Sequence, residues 1–304
     1  MLGIHAFWSK PTLTGTQGHH LTGVDRFKMY DFELIHFILS ALFYKKLNGS
    51  IHLYTDTIFA DYIENLKLTS VWDNIDTSKH EEFSLLDINS TTNWTGFKTW
   101  LLHKIPAPFL LIDHDNLIFT KIPTELFDTS VRFAHLEDIN PYYYPNKDKL
   151  DCGEFIFDKN WDWSLDVANT CLLYFKENEF KDKYSLKAME FEKNNHPEDL
   201  HLAEVQYLFA DQRLLVMMLE EQNIDYGTFS NNKFTPEGNI PDFTSVSNDP
   251  LLSKVGFDHT WGYKHHLKKN KLARTVYMKR HIQMIHDNFE NYYDTLLPIF
   301  KKYI

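Results

Sequence analysis

Along the chain, short continuous apolar runs alternate with segments whose apolar residues recur at helical spacing. Residues 3–8 read as a first strand, and the Lys10-Pro11 step with Gly15, Gly18, His19 and His20 reads as a loop. Residues 27–47 carry Phe32, Ile35, Leu39, Leu42 and Phe43 on one helical face, closed by Asn48-Gly49. Residues 51–55 give a second strand, and Phe59, Tyr62, Ile63 and Leu66 a second helix. Residues 85–89 suggest a short strand, 94–103 a helix, and 109–112 (FLLI) a strand buried on both faces. Beyond lie candidate strands at 131–135, 154–157 and 170–175, helices at 181–192 and 199–222, and a loop at 230–248. A closing helical region runs from 271 to 304, interrupted before Pro298. This alternation predicts an α/β fold with a mixed, mainly parallel sheet flanked by helices. In such sheets ligands sit at the carboxyl ends of the strands.

Two carboxylates, Asp113 and Asp115, stand at the end of the 109–112 run. On extended chain side chains repeat every second residue, so both point to one side with His114 turned away. Carboxylates aimed at one point repel unless a cation stands between them. A divalent-metal site is the chemical reading; a solvated turn is the plainer one.

Composition narrows the partners. A chain of 304 residues with 43% hydrophobic and 24% charged residues can bury a large core, and one domain over 1–268 with a helical extension over 269–304 accounts for it. A net charge of −11 argues against broad binding to nucleic acid. From His259 to His286, however, there is no acidic residue and seven Lys and Arg, which leaves −11 − 7 = −18 for the remainder. That segment suggests a local anion site or peripheral contact with an anionic membrane. Two cysteines, Cys152 and Cys171, suggest reduced thiols. With no leader pattern and no apolar stretch of spanning length, the expectation is a cytoplasmic protein, with membrane association through the basic segment as an addition.

The order Asp113-His114-Asp115, Asn169-Thr170-Cys171, Asp211-Gln212 and His259-Thr260-Trp261-Gly262-Tyr263-Lys264 resembles the motifs of GT-A glycosyltransferases of family 8. Those enzymes carry D-x-D, N-A-G, D-Q and H-x-x-G-x-x-K segments in that order. The stretches HAFWSKP, YTD and FDHTWGYKH look closer still to a bacterial group of uncharacterised GT-A-like proteins. The resemblance implies a GT-A (Rossmann-like) fold and transfer of a sugar from a nucleotide sugar, commonly UDP-linked, with Mn²⁺ (or Mg²⁺) and retained anomeric configuration. A glycan or lipid-linked acceptor is the expected partner, the lipid-linked one following from the basic segment. Two positions depart from the pattern: Cys171 stands where the family has glycine, and the last motif is one residue shorter.

By that resemblance Asp113, Asp115 and His259 are the metal ligands, and an imidazole among oxygen donors suits Mn²⁺ better than Mg²⁺. Lys264 would contact a phosphate, with Gly262 allowing close backbone approach. Lys98 matches a basic residue near the donor; an exposed helix lysine is the alternative. Asn169 would bond sugar hydroxyls, or serve only as a turn residue. Gln212 would orient or stabilise the sugar during front-face substitution, and Asp211 is the one carboxylate placed for a covalent intermediate; a solvent-facing polar pair is the plainer reading of both. Trp8, Trp94, Trp100 and Trp261 are candidate stacking platforms, Trp8 first among them for the nucleotide. Glu137 and Asp138 could meet the acceptor. Two other functions are compatible with the residues: a non-catalytic nucleotide- or sugar-binding protein of GT-A fold, and a metal-dependent phosphoester hydrolase, for which the scattered histidines supply no H-E-x-x-H pair.

Overall fold

The computed structural model describes residues 1–13, 27–197, 203–230, 257–260 and 263–304. Its strands are β1 (Gly3–Phe7), β2 (Ile51–Thr55), β3 (Asn74–Asp76), β4 (Phe109–Ile112), β5 (Asn116–Ile118), β6 (Val131–Glu137), β7 (Val167–Phe175), β8 (Tyr226–Thr228) and β9 (Phe257–His259). Seven of them form one sheet in the order β3-β2-β1-β4-β7-β6-β8, and β5 pairs with β9 in a separate ladder. Neighbours run parallel except around β7, which is antiparallel to both β4 and β6. The result is a Rossmann-like, mostly parallel sheet with helices on both faces.

The apolar run that predicts β4 divides between the two layers. Phe109 and Leu111 join Trp100, Phe133, Leu173 and Phe175, while Leu110 and Ile112 join Ile35, Leu39, Leu53 and Leu172. Each such side chain contributes about 2 kcal/mol by leaving water. One face is covered by α2 (Asp31–Leu47), whose residues 32–44 are all buried. A helix apolar on every side must be covered on every side. Its second cover is α10 (Lys271–Asn288), where the Tyr277 hydroxyl meets His36 Nδ1 at 2.7 Å. The other face is covered by α5 (Gly96–Leu102), α6 (Asn178–Asn194) and α8 (Leu214–Glu221). The end of β1 is tied to α3 (Thr57–Asn65) by Asp56, which caps the helix by accepting from Phe59 N–H at 2.8 Å and from Ser9 N–H at 2.5 Å.

Several expected elements differ. Residues 85–89 are not a strand: Leu85 is 86% exposed and only Ile88 of that stretch is buried. The strand is β3 instead, a short polar edge strand with little apolar signal. Residues 154–157 form no strand either, because Phe155 is spent anchoring a loop against Trp161, Phe191 and Phe209. The segment expected as one helix over 199–222 is α7 (Ala203–Leu208), one π turn (Phe209–Arg213) and α8, with 199–202 outside the described residues. The loop expected at 230–248 also lies outside them beyond Ser230. The closing helices break at Phe289, not before Pro298. Phe289 leaves the helix to set its ring edge-on against Phe43 at 4.9 Å, whereas Pro298 falls in the last turn of α11 (Glu290–Phe300).

Candidate functional site

A cavity of about 440 Å³ opens at the carboxyl ends of β1 and β4. Trp8 leaves β1 and lines it, with its indole edge-on to Phe83 at 5.0 Å. Asp113 and Asp115 leave β4 and line it too, but not on extended chain. Asn116 N–H donates to Asp113 O at 2.9 Å, so residues 113–116 form a turn. The two carboxylates share the cavity because the chain turns there, and the alternating-strand argument does not apply. His114 sets its ring against Phe7 and Phe37, with centroids 5.5 and 5.6 Å away.

Each carboxylate has its own ammonium. Lys98 reaches in from α5, only 7% exposed, and stands 2.9 Å from Asp113 Oδ1 and 3.2 Å from Asp211 Oδ1. It also donates to Thr170 O at 3.1 Å. Burial opposes this charge, yet the two carboxylates outweigh it and raise the Lys98 pKa. It is therefore no exposed helix lysine. Lys264, the first residue of α9 (Lys264–Lys269), stands 2.7 Å from Asp115 Oδ2, and His259 Nε2 lies 3.4 Å from the same oxygen. Burial pushes the Asp115 carboxyl up, but Lys264 and His259 hold it well below the usual carboxylate range.

Main-chain pairing delivers His259. In the β5–β9 ladder Asn116 is registered against His259, and Thr260 N–H donates to Asp115 O at 3.0 Å. Cys171 completes this corner, its Sγ accepting from Asn116 Nδ2 at 2.9 Å. Burial disfavours a charged His259, and Cys171 and Asp115 outweigh that, so its pKa stands well above an ordinary imidazole's.

Asp211 and Gln212 face the cavity from the π turn, an irregularity common where a helix must aim side chains. Asn169 lines it from within β7, so it is not a turn residue. Trp8, Lys98, Asp113, Asp115, Asn169, Asp211, Gln212, His259 and Lys264 thus border one cavity, whereas Trp100, Glu137 and Asp138 do not line it; Gly262 and Trp261 lie outside the described residues. Trp100 is a core residue, while Trp94 lines the cavity edge-on to Tyr207 at 4.6 Å. Glu137 is buried behind the wall, held by Tyr144 and Asn169, and is not a lining residue of the cavity. Sequence reasoning missed Tyr207, His265 and Lys268 as lining residues. Tyr207 is readable afterwards, four positions before Asp211 on the same helix face.

The donor chemistry suits a divalent ion: two carboxylates, one held ionised, and an imidazole. As the side chains stand, no three His, Cys, Asp or Glu among the described residues are grouped to hold one. Asp115 is engaged by Lys264, and a metal takes an imidazole through an unprotonated nitrogen, so ligation requires Lys264 to release Asp115 and His259 to bind as the neutral ring. No helix among the described residues is long and apolar enough to cross a membrane.

Fold and site together define a Rossmann-like α/β protein with a charged cavity at its strand ends. The chain belongs to a family described as a family of unknown function (DUF6734), which matches residues 1–299. No curated protein sequence matches it. Among solved structures it is similar to an active-site mutant of LgtC, with 12% identity, 85% of this chain and 86% of that one covered, and a TM-score of 0.42. It is similar to a nucleoside-diphosphate-sugar pyrophosphorylase from Vibrio cholerae RC9, with 11% identity, coverage of 78% and 93%, and a TM-score of 0.38. A third is the glycosyltransferase GlyE of Streptococcus pneumoniae TIGR4, with 14% identity, coverage of 75% and 44%, and a TM-score of 0.36. At these values the overlaps assign neither reaction nor substrate to this chain.

Proposed function

We propose that the cavity binds a nucleotide sugar, UDP-linked, and that the protein is a retaining, metal-dependent glycosyltransferase acting on a glycan or lipid-linked acceptor. One observation carries this reading: Trp8, Lys98, Asp113, Asp115, Asn169, Asp211, Gln212, His259 and Lys264 come from stretches far apart in sequence and line a single cavity. Trp8 walls the nucleotide end. Lys264 passes from Asp115 to the diphosphate of the donor, which offers it a second anion. Asp113, Asp115 and a neutral His259 would then hold Mn²⁺ (or Mg²⁺), whose chemistry is to neutralise charge on the departing diphosphate. Lys98, fixed between Asp113 and Asp211, supplies a second positive charge beside the sugar. Asn169 and Gln212, which both line the cavity, meet the sugar.

Thermal unfolding with UDP, GDP and their sugars, with and without Mn²⁺, tests the donor site. UDP should raise Tm only with the metal, and Asp115→Ala should abolish the rise; no shift with any nucleotide sinks the proposal. Release of free UDP that accelerates with an acceptor separates a transferase from a binding protein.

The membrane contact has its own support. Leu272 and Val276, one helical turn apart on α10, are 75% and 46% exposed, among Lys268, Lys269, Lys271, Lys279 and Arg280. An apolar strip framed by cations fits an anionic lipid surface. Co-sedimentation with phosphatidylserine vesicles that is no greater than with neutral ones removes it.

A further inference from the structure

Glu137 closes β6 and is buried behind the cavity wall. Asn169 Nδ2 donates to its Oε1 at 2.6 Å, and His135 Nε2 lies 3.3 Å from the same oxygen. Tyr144 Oη lies 2.5 Å from Oε2 and, on its other side, 2.8 Å from the amide oxygen Oε1 of Gln212. A phenol has one hydrogen, so it cannot donate both to the carboxylate and to an amide oxygen. The carboxylate is nearer and charged, and a charge-assisted bond is about twice as strong as a neutral one. It takes the hydrogen. Glu137 is ionised to do so: burial pushes its carboxyl up, but His135, Asn169 and Tyr144 outweigh that and hold it below the ordinary value. What is left on Tyr144 toward Gln212 is a lone pair, which only an N–H can fill. A carboxamide has nearly the same shape turned either way, so the hydrogen count fixes its sense.

We propose that Glu137 is a positioning residue: with the Tyr144 hydrogen held by Glu137, Gln212 gives its Nε2–H to Tyr144 and turns its carbonyl oxygen to the cavity. The same carboxylate fixes Asn169, whose Oδ1 accepts from Cys171 N–H at 3.1 Å and which keeps one N–H beyond the one given to Glu137. This end of the cavity thus offers an acceptor from the π turn and a donor from β7. That pair suits a polyhydroxylated ligand with a hydroxyl or an electron-poor carbon at Gln212, and it repels an anion there. Arg213 steadies the arrangement from the next position, donating to Tyr144 O at 2.9 Å and Pro145 O at 2.8 Å. Only the choice of a sugar as that ligand rests on the glycosyltransferase reading.

The test is a double-mutant cycle in Tm, run without ligand. Q212E sets a second carboxylate on a hydroxyl with one hydrogen to give, and Tm should fall by about 2–6 °C. E137Q puts an amide at position 137, which donates to Tyr144 and releases its hydrogen toward position 212. In E137Q/Q212E the penalty of Q212E should therefore vanish. An equal fall in both backgrounds, or no fall in the wild type, overturns the proposal. A merely space-filling role for Glu137 would give no such rescue. If E137Q does not fold, neutron diffraction from wild-type crystals decides: deuterium between Tyr144 and Glu137, with the Gln212 ND₂ toward Tyr144, is expected, and the reverse sense overturns it. No substrate enters either measurement, so a failed cycle leaves the transfer reading standing and a failed transfer assay leaves the cycle readable.

Discussion

Lys264 Nζ stands 2.7 Å from Asp115 Oδ2, with both side chains largely withdrawn from solvent. Removing either leaves the other charged and dry. Lys264→Met should cost about 3 kcal/mol in urea unfolding, and Lys264→Met with Asp115→Asn should recover most of it. A double variant that loses the sum of the two single-variant losses would show that the pair carries no coupling.

Arg213 is one of the largest fully buried side chains, and its guanidinium serves three carbonyls, of Tyr144, Pro145 and Trp163. Arg213→Met leaves all three without their donor. A loss of about 3 kcal/mol is expected, together with faster chymotrypsin cleavage at Tyr142, which is 77% exposed at the edge of the same loop. Unchanged cleavage would place the loop's anchor elsewhere.

His281 predicts a pH dependence of stability. It is fully buried in α10, its Nδ1 on Tyr277 O at 2.8 Å, and burial lowers its pKa from 6.5 to about 4. Between those values the unfolded chain binds a proton that the folded chain refuses, so stability rises with pH across that window. Taking the protein from pH 7 to pH 4 should cost about 3 kcal/mol through this group. Urea unfolding of His281→Gln over the same range should show a shallower slope. His36, whose ring lies 5.6 Å from His281, also has its pKa lowered well below the ordinary value, chiefly by burial, and keeps part of the slope.

The two thiols should react at different rates. Cys171 is buried, and burial pushes its pKa up despite the opposing pull of His259, whereas Cys152 is half-buried. Iodoacetamide should label Cys152 in the folded protein and Cys171 only on unfolding. Equal labelling in native buffer would contradict the packing of Asn116 on Cys171.

What sequence pattern could show depended on how much of each element's burial it encodes. β4 and β7 are buried on both faces, so their apolar runs are continuous, and β2 was readable to the residue. β3 was invisible because an edge strand of three polar or half-exposed residues carries no such run. Phe155 misled for the opposite reason, since an aromatic cluster can anchor a loop as firmly as a strand. Lys98 shows the same limit at the site. Its burial depends on Asp113 and Asp211 arriving from two other elements, which no local window contains. No local pattern singles out Tyr144, because its partner Glu137 lies across a turn and Gln212 lies 68 residues away in sequence.

The β5–β9 ladder gives the site an order of completion. All seven strands of the main sheet lie before residue 229 in the chain, whereas His259 and Lys264 follow it. As the chain emerges from the ribosome, the sheet can close with Asp113 already matched to Lys98 while Asp115 waits for its cation. A chain halted between β8 and β9 would hold a closed sheet around one uncompensated carboxylate, with α2 still without its second cover. Sheet and charge balance are thus finished at different moments in the life of the polypeptide, and one histidine and one lysine complete the second, before α10 covers α2.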